Sequence, residues 1–271
     1  MPKQISNAPS SAGTWLHSAL IGGVAGLLNG LIALGGGIIV TPILVGHRGL
    51  SPQVAVGTSL AVVVVLSTIG FAIHFSFGGL VLGASAIVVS VLSGLVGAVV
   101  GAKLLARITP SWMLMLFGGF VLIVAIRLIV QGLEIGFVLP ASPAAVPLTA
   151  FASFGFMSGV LSGVFGVGGG ALVLLGLAAF YGLPVQQGLP IALALNVSNA
   201  LYGLIQHARA GRVLWKEVRV LIPTAVVGIA LGAWLALQLP ADYMRIVFGA
   251  FFLYTGLRIA RQGLRLSRKT S

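Results

Sequence analysis

The chain has 271 residues, of which 58% are hydrophobic and only 7% are charged. Soluble domains carry about a quarter charged residues, so this composition excludes an ordinary water-soluble fold and predicts a membrane protein. Fifteen Lys and Arg residues against three acidic residues give a formal net charge of +12. Most of the basic residues lie between apolar stretches or at the C-terminus, which is typical of contact with lipid headgroups and not of nucleic-acid binding.

Eight apolar stretches follow a polar N-terminal tail at residues 1–14. They cover residues 15–46, 52–77, 80–102, 112–131, 146–181, 187–207, 217–238 and 242–262. A helix needs about 20 residues to cross the hydrocarbon core, so six of the stretches fit one crossing each. The first and fifth are too long for one straight helix, and each contains three consecutive glycines. We therefore predict an all-α polytopic membrane protein with broken helices at residues 35–37 and 168–170.

The stretches repeat at an almost constant spacing. A shift of 133 positions places the first glycine triplet on the second and His74 on His207, and a shift of 131 places Arg127 on Arg258. The repeat predicts two related four-segment halves, residues 15–131 and 148–262. A linker at 132–147 joins them, and a basic cytoplasmic tail at 263–271 follows.

The basic residues favour one of two topologies. If each long segment crosses once, 11 basic residues face the cytoplasm and four face outward. If each long segment turns back, the count becomes 13 inside and two outside, Arg127 and Arg245. The second count favours inverted repeats, each beginning with a broken, re-entrant helix. Both topologies place the C-terminus in the cytoplasm, and the choice between crossing and turning back stays open at this point.

The breaks also predict a binding site. A half-helix that begins after a glycine break presents amide groups and a positive dipole end to an anion. None of the three carboxylates, Glu134, Glu217 and Asp242, lies in mid-span, which disfavours cation exchange on buried carboxylates. The candidate substrate-binding residues are Asn29, Gly35, Gly36, Gly37, Thr41, Thr58, Ser59, Ser162, Gly168, Gly169, Gly170, Asn196 and Asn199. Interhelical packing is the alternative role for the two asparagines of the sixth stretch.

His74 and His207 occupy matching positions near the ends of their stretches. The simpler interpretation is that both lie at the membrane interface. The more specific one is a role in proton coupling, because histidine titrates near neutral pH. The chain has no cysteine, and no Asp or Glu lies nearby in the sequence to complete a metal site. We therefore expect neither a metal nor a cofactor.

At these glycine motifs the sequence resembles the sulfite exporter TauE/SafE family of membrane permeases. The motifs are Gly26-x-x-x-Gly30-x-x-x-x-Gly35-Gly36-Gly37 with Pro42, Ser51-Pro52-Gln53-x-Ala55-x-Gly57-Thr58-Ser59, and Gly159-x-x-x-Gly163-x-x-Gly166-x-Gly168-Gly169-Gly170. The resemblance implies a multi-pass protein of the bacterial inner membrane that moves small sulfur-containing anions, including sulfite and sulfonates. The halves depart from each other, with Leu175 opposite Pro42 and Ala33 opposite Gly166, so they cannot contribute identical ligands.

From the resemblance we expect a secondary transporter, and specifically an exporter, with no enzymatic activity. Its site would lie between the two glycine breaks and would be exposed to one side at a time by alternating access. The alternatives are a passive anion channel, a membrane redox or metal subunit that uses the two histidines, and an assembly partner of another membrane complex. The expected partners are a small anionic substrate and membrane lipid, and no nucleic acid. Whether the chain forms a homo-oligomer stays open at this point.

Overall fold

The structure, a computed structural model, describes residues 12–33, 37–78, 82–104, 110–133, 146–165 and 168–270, and these ranges contain helices but no strand. The helices are α1 (Ala12–Ile32), α2 (Gly37–Arg48), α3 (Pro52–Gly78), α4 (Gly83–Leu104), α5 (Pro110–Gly132), α6 (Leu148–Phe165), α7 (Gly170–Tyr181), α8 (Val185–Arg209), α9 (Trp215–Gln238) and α10 (Ala241–Thr270). The predicted all-α class is confirmed. Helix α10 continues through most of the predicted basic tail.

Five of the described helices are long and apolar enough to cross a membrane, namely α3, α4, α8, α9 and α10. The short helices α2 and α7 have 12 residues each. A 12-residue helix is about 18 Å long, well short of a hydrocarbon core of about 30 Å. The chain is therefore a polytopic membrane protein that combines full spans with short helices.

Both predicted breaks are present. Helix α1 ends at Ile32 and α2 begins at Gly37, whereas α6 ends at Phe165 and α7 begins at Gly170. Gly168 and Gly169 have φ of 69° and 88°. These left-handed values are accessible to glycine at little cost, and they interrupt the helix before α7. Gly35 and Gly36 of the first triplet lie outside the described residues.

Helix α7 turns back along α6. The rings of Phe154 in α6 and Phe180 in α7 stack with centroids 6.0 Å apart, and Tyr181 meets Phe154 edge-on at 6.5 Å. In one continuous helix, residues 154 and 180 would be about 39 Å apart. The long segment of the second half is therefore a helical hairpin, which is the arrangement that the count of basic residues favoured.

The two halves interlock through matched helix pairs. Helix α1 packs along α9, and its counterpart α6 packs along α4. Gly26 of α1 faces Ala225 and Gly30 faces Ile229, so α1 and α9 run parallel. A Cβ atom at either glycine would overlap a backbone carbonyl of α9, so both serve the close packing that small residues permit in membranes.

Two pairs of helices, each with one helix from either half, pack in an antiparallel direction. Gly70 of α3 faces Leu193 of α8, and Gly203 of α8 faces Leu60 of α3, which makes this pair antiparallel. Helix α5 also packs antiparallel on α10. Gly118 in the first half of α5 faces Ala260 late in α10, whereas Gly249 early in α10 faces Ala125 and Ile129 further along α5. Helix α7 is buried over most of its length. The short helix and its break are thus held inside the bundle.

Candidate functional site

The two helix breaks meet at the side chain of Asn196 in α8. Its Nδ2 donates to the carbonyl oxygen of Ala33, just after α1, over 2.7 Å. Its Oδ1 accepts from the backbone N–H of Gly170, the first residue of α7, also over 2.7 Å. Asn196 is fully buried. Because it lies 11 residues after the first residue of α8 and 13 before the last, the breaks meet near the middle of a membrane span.

Two further side chains satisfy the backbone of the second break. Asn199, one turn after Asn196, donates from Nδ2 to the carbonyl of Gly168 over 2.9 Å. Ser158 of α6 donates from Oγ to the carbonyl of Gly169 over 2.6 Å. Carbonyl groups released from a helix inside a membrane must find such partners, because lipid offers none. In this conformation the side-chain donors of Asn199 and Ser158, which lie beside the second break, therefore both bind backbone carbonyl groups.

The first break is supported differently. Asn29 is fully buried in α1, and its Nδ2 donates to the Oγ of Ser67 in α3 over 3.2 Å. Ala33 has a φ of 50°, which is uncommon for a residue with a side chain. The positions of α3 that match Asn196 and Asn199 hold Val63 and Leu66, both fully buried. The asparagine pair is therefore a feature of the second half only, and the site is asymmetric.

The other candidate residues are spread along the bundle. Thr58 lies apart from the breaks, because its hydroxyl donates to the Val54 carbonyl at 2.7 Å and accepts from the N–H of Leu214 at 3.0 Å. Ser59 is buried, and its Oγ has no hydrogen-bond partner among the described residues. Gly37 is buried at the start of α2, Thr41 is half-buried in that helix, and Ser162 is buried in α6. Substrate binding by any of these residues stays a prediction.

The two histidines lie at opposite ends of the α3–α8 pair. His74 is 1% exposed, and its Nδ1 donates to the Gly70 carbonyl over 2.9 Å. His207 is half-buried and packs against Gly57 of α3, where an added Cβ would lie 2.9 Å from the Cβ of His207. Residues 57 and 74 of α3 are about 25 Å apart along the helix, so the histidines cannot share one ligand. The described residues contain no group of three His, Asp or Glu side chains suited to a metal.

Several residues that support the short helix were not among the sequence candidates. Arg127 and Gln131 of α5 both donate to the carbonyl of Ala179, at 2.7 and 3.1 Å, and Arg245 of α10 donates to the carbonyl of Gly182 at 3.1 Å. Cationic groups at a helix C-terminus are favoured by the helix dipole. Ser158 was missed as well, although it lies one turn before the candidate Ser162 on the same face of α6.

A polytopic bundle in which two broken helices meet near mid-span has the architecture of a membrane transporter. The chain matches the sulfite exporter TauE/SafE family over residues 151–271. The chain belongs to this family, because a relative described below is 30% identical over about 70% of both chains.

The chain is similar to the probable membrane transporter protein YunE of Bacillus subtilis, with 24% identity over 276 residues that cover 90% of this chain and 97% of the relative. A probable membrane transporter protein of Xylella fastidiosa is 29% identical over 88% of this chain and 92% of its own length. The probable membrane transporter protein MJ0441 of Methanocaldococcus jannaschii is 30% identical over 70% of this chain and 71% of its own length. No solved structure gives a significant match. The chain is a multi-pass membrane transporter of the TauE/SafE type.

Proposed function

We propose that this protein is a secondary transporter that exports a small sulfur-containing anion, such as sulfite or an organosulfonate, across the bacterial inner membrane. The observation that carries the proposal is the meeting of both helix breaks at Asn196, near the middle of α8. Broken helices surround substrate in many secondary transporters, with half-helix N-termini directed at anionic groups. Helix α7 also begins after a break, and the N–H of its first residue donates to the Asn196 carboxamide.

The charges of the surrounding helices favour an anion over a cation. Helices α1, α3, α6, α7 and α8 contain no Asp, Glu or Lys, and Arg209 at the end of α8 is their only arginine. Sites for cations in membranes normally hold buried carboxylates. A site without them depends on backbone amides, hydroxyls and helix dipoles, which suit an oxyanion.

We also propose that the halves are inverted repeats that expose the site alternately to either side. The antiparallel α3–α8 and α5–α10 pairs and the α6–α7 hairpin support this arrangement. Arg127 and Arg245 lie at the end of the bundle where α7 ends, whereas Arg209, Arg212, Lys216 and Arg219 lie at the opposite end. By the positive-inside rule the second end faces the cytoplasm, together with the C-terminus.

Reconstitution tests the proposal. Liposomes that contain the purified protein and internal sulfite or methanesulfonate should release the anion with saturable kinetics and should exchange it against external anion. Empty liposomes and liposomes with an inserted Gly169→Leu variant are the controls. Flux that increases linearly with concentration would indicate a channel. No flux of any sulfur oxyanion through correctly inserted protein would contradict the substrate class.

A further inference from the structure

The exposed face of α10 changes from apolar to cationic along its length. Tyr254 and Leu257 are 66% and 41% exposed. Arg258, Arg261 and Arg265 follow at spacings of three and four residues, and all three are exposed as well. These spacings place the five side chains on one face of the helix. The face therefore offers an apolar surface to acyl chains and, directly beyond it, three guanidinium groups.

These arginines belong to the membrane-crossing part of α10. The stretch that is apolar enough to cross a membrane runs from Tyr243 to Arg265 and includes all three. Because Gly118 of α5 faces Ala260 and the two helices are antiparallel, Trp112, which is 60% exposed, is nearly level with Arg265. Tryptophan is enriched at the membrane interface, so Arg265 lies at headgroup depth and Arg258 about 10 Å deeper. A long arginine side chain at such a depth extends toward the headgroups.

The α5–α10 pair has no acidic side chain near these arginines. Helix α5 contains no Asp or Glu, and the only acidic residue of α10 is Asp242 at its start. Asp242 precedes Arg258 by 16 residues, or about 24 Å of helix. Glu217, the other acidic residue that the structure describes, is on α9, which packs against α1 and α3. An anion that offsets the charge of this face therefore comes from outside the described part of the chain.

We propose that this face of α10 is a selective site for an anionic phospholipid, such as phosphatidylglycerol. The acyl chains cover Tyr254 and Leu257, and the phosphate accepts hydrogen bonds from the arginines that follow. A zwitterionic headgroup brings its own ammonium group, so it offsets less of the positive charge. A soluble phosphate ion gains nothing from the apolar part of the face. The site lies at the end of the bundle that holds the C-terminus, and it does not depend on which substrate is carried.

A tryptophan placed between the arginines tests this inference. Leu264 is 47% exposed and lies on the same face, so Leu264→Trp reports the lipid beside it once the four native tryptophans are replaced by phenylalanine. This parent protein is reconstituted in mixtures of phosphatidylcholine and phosphatidylglycerol in which one lipid is brominated on its acyl chains and quenches the fluorescence. We expect an affinity for phosphatidylglycerol at least about tenfold higher than for phosphatidylcholine. Arg261→Gln combined with Arg265→Gln should bring the ratio close to one. Lys216→Gln combined with Arg219→Gln is the control, because it removes the same charge at the same end of the bundle, and it should keep the ratio.

Each alternative gives a different result. Equal affinity for the two lipids in the parent protein would overturn the selective site. A preference that persists in the α10 double variant, or that falls equally in both double variants, would overturn its assignment to the arginines of α10. No quenching by either lipid would mean that another protein chain covers this face, and loss of the preference in excess glycerol phosphate would mean that the site takes a soluble phosphate. Both results would overturn the lipid site. If the α10 double variant fails to insert, the ratio in the parent protein still decides whether the face selects an anionic lipid.

Discussion

Asn196 donates a 2.7 Å hydrogen bond to the carbonyl oxygen of Ala33, a residue 163 positions earlier in the chain. The same carboxamide accepts from the N–H of Gly170, so one side chain of α8 joins the break after α1 to the break before α7. Both partners are backbone groups that lie beside a broken helix and cannot be satisfied by lipid. A side chain that contacts both breaks links the two halves at the point where the substrate is proposed to bind.

Replacement of Asn196 by leucine should impair both stability and transport. The variant leaves the Ala33 carbonyl and the Gly170 N–H without their partner, and each unpaired buried group costs about 1–3 kcal/mol. We expect a lower midpoint of thermal unfolding in detergent, followed by tryptophan fluorescence, and loss of flux in liposomes. Ser198→Ala, two residues further along α8, should match the wild type. An unfolding midpoint and flux at the wild-type level in Asn196→Leu would rule out a linking role.

The positions of the breaks could be predicted from the sequence, but the partners of the released backbone groups could not. Three adjacent glycines weaken a helix wherever they occur, so the triplets locate the breaks without tertiary information. Asn196 and Ala33 meet only because the fold brings the end of α1 beside α8, and no local pattern encodes that contact. Thr58 illustrates the same limit, because its hydroxyl accepts from the N–H of Leu214, 156 positions away, and no local pattern predicts that contact.

The turning back of the long segment could be predicted from the distribution of basic residues in the sequence. The count of basic residues depends only on which side each loop faces, so it could favour a segment that turns back. The stacking of Phe154 on Phe180 is the physical contact that fixes this direction in the second half. The asymmetry of the site can also be read from the sequence, because the first half has Val63 and Leu66 at the positions where the second half has Asn196 and Asn199.

Gly169 should tolerate no side chain. Its φ of 88° is unfavourable for other residues, and a Cβ there would lie 2.5 Å from the Ser158 carbonyl and from the Ser158 hydroxyl. We expect Gly169→Ala to insert into the membrane and to lose most of its flux. Gly119→Ala in α5 is the matched control, because nothing lies within 4 Å of its Cβ position. That substitution should stabilise the helix by up to about 1 kcal/mol. Full flux in Gly169→Ala would mean that the left-handed backbone is dispensable.

Arg245 should anchor the C-terminal end of α7. The side chain is 8% exposed and donates from Nη2 to the Gly182 carbonyl at 3.1 Å. Arg245→Gln removes a charged donor to a helix C-terminus, and we expect a loss of roughly 1.5–3 kcal/mol in stability. Arg258→Gln is the control on the same helix, since Arg258 is exposed. Thermal unfolding of the two variants in detergent provides the comparison, and equal midpoints would contradict the anchoring role.

The absence of cysteine makes the topology simple to test. Arg212→Cys and Leu239→Cys introduce single thiols at exposed positions on either side of α9. If the end with Arg209 and Arg212 faces the cytoplasm, a membrane-impermeant maleimide applied to intact spheroplasts should label Leu239→Cys and not Arg212→Cys. Both should react after the membrane is permeabilised. The reverse labelling pattern would place the C-terminus outside.

His74 is the better candidate of the two histidines for proton coupling. Its Nδ1 donates to the Gly70 carbonyl, so Nε2 is the nitrogen that a proton would reach. Nε2 is buried and has no hydrogen-bond partner among the described residues. The register of α3 on α8 places Ser67 level with Asn196, and His74 lies seven residues, or about 10 Å, further along. A proton on His74 would add a positive charge to the bundle that a bound anion partly offsets.

Replacement of His74 by glutamine should therefore separate coupling from exchange. We expect His74→Gln to lose the acceleration of anion flux by an imposed proton gradient while it keeps anion-for-anion counterflow, which requires no net proton movement. His207→Gln should keep both activities, because that ring is half-buried at the opposite end of the helix pair. The two assays can be run on the same proteoliposomes. Proton-driven flux that survives in His74→Gln and disappears in His207→Gln would move the coupling site to the other histidine. Its survival in both variants would show that the transport cycle is independent of both histidines.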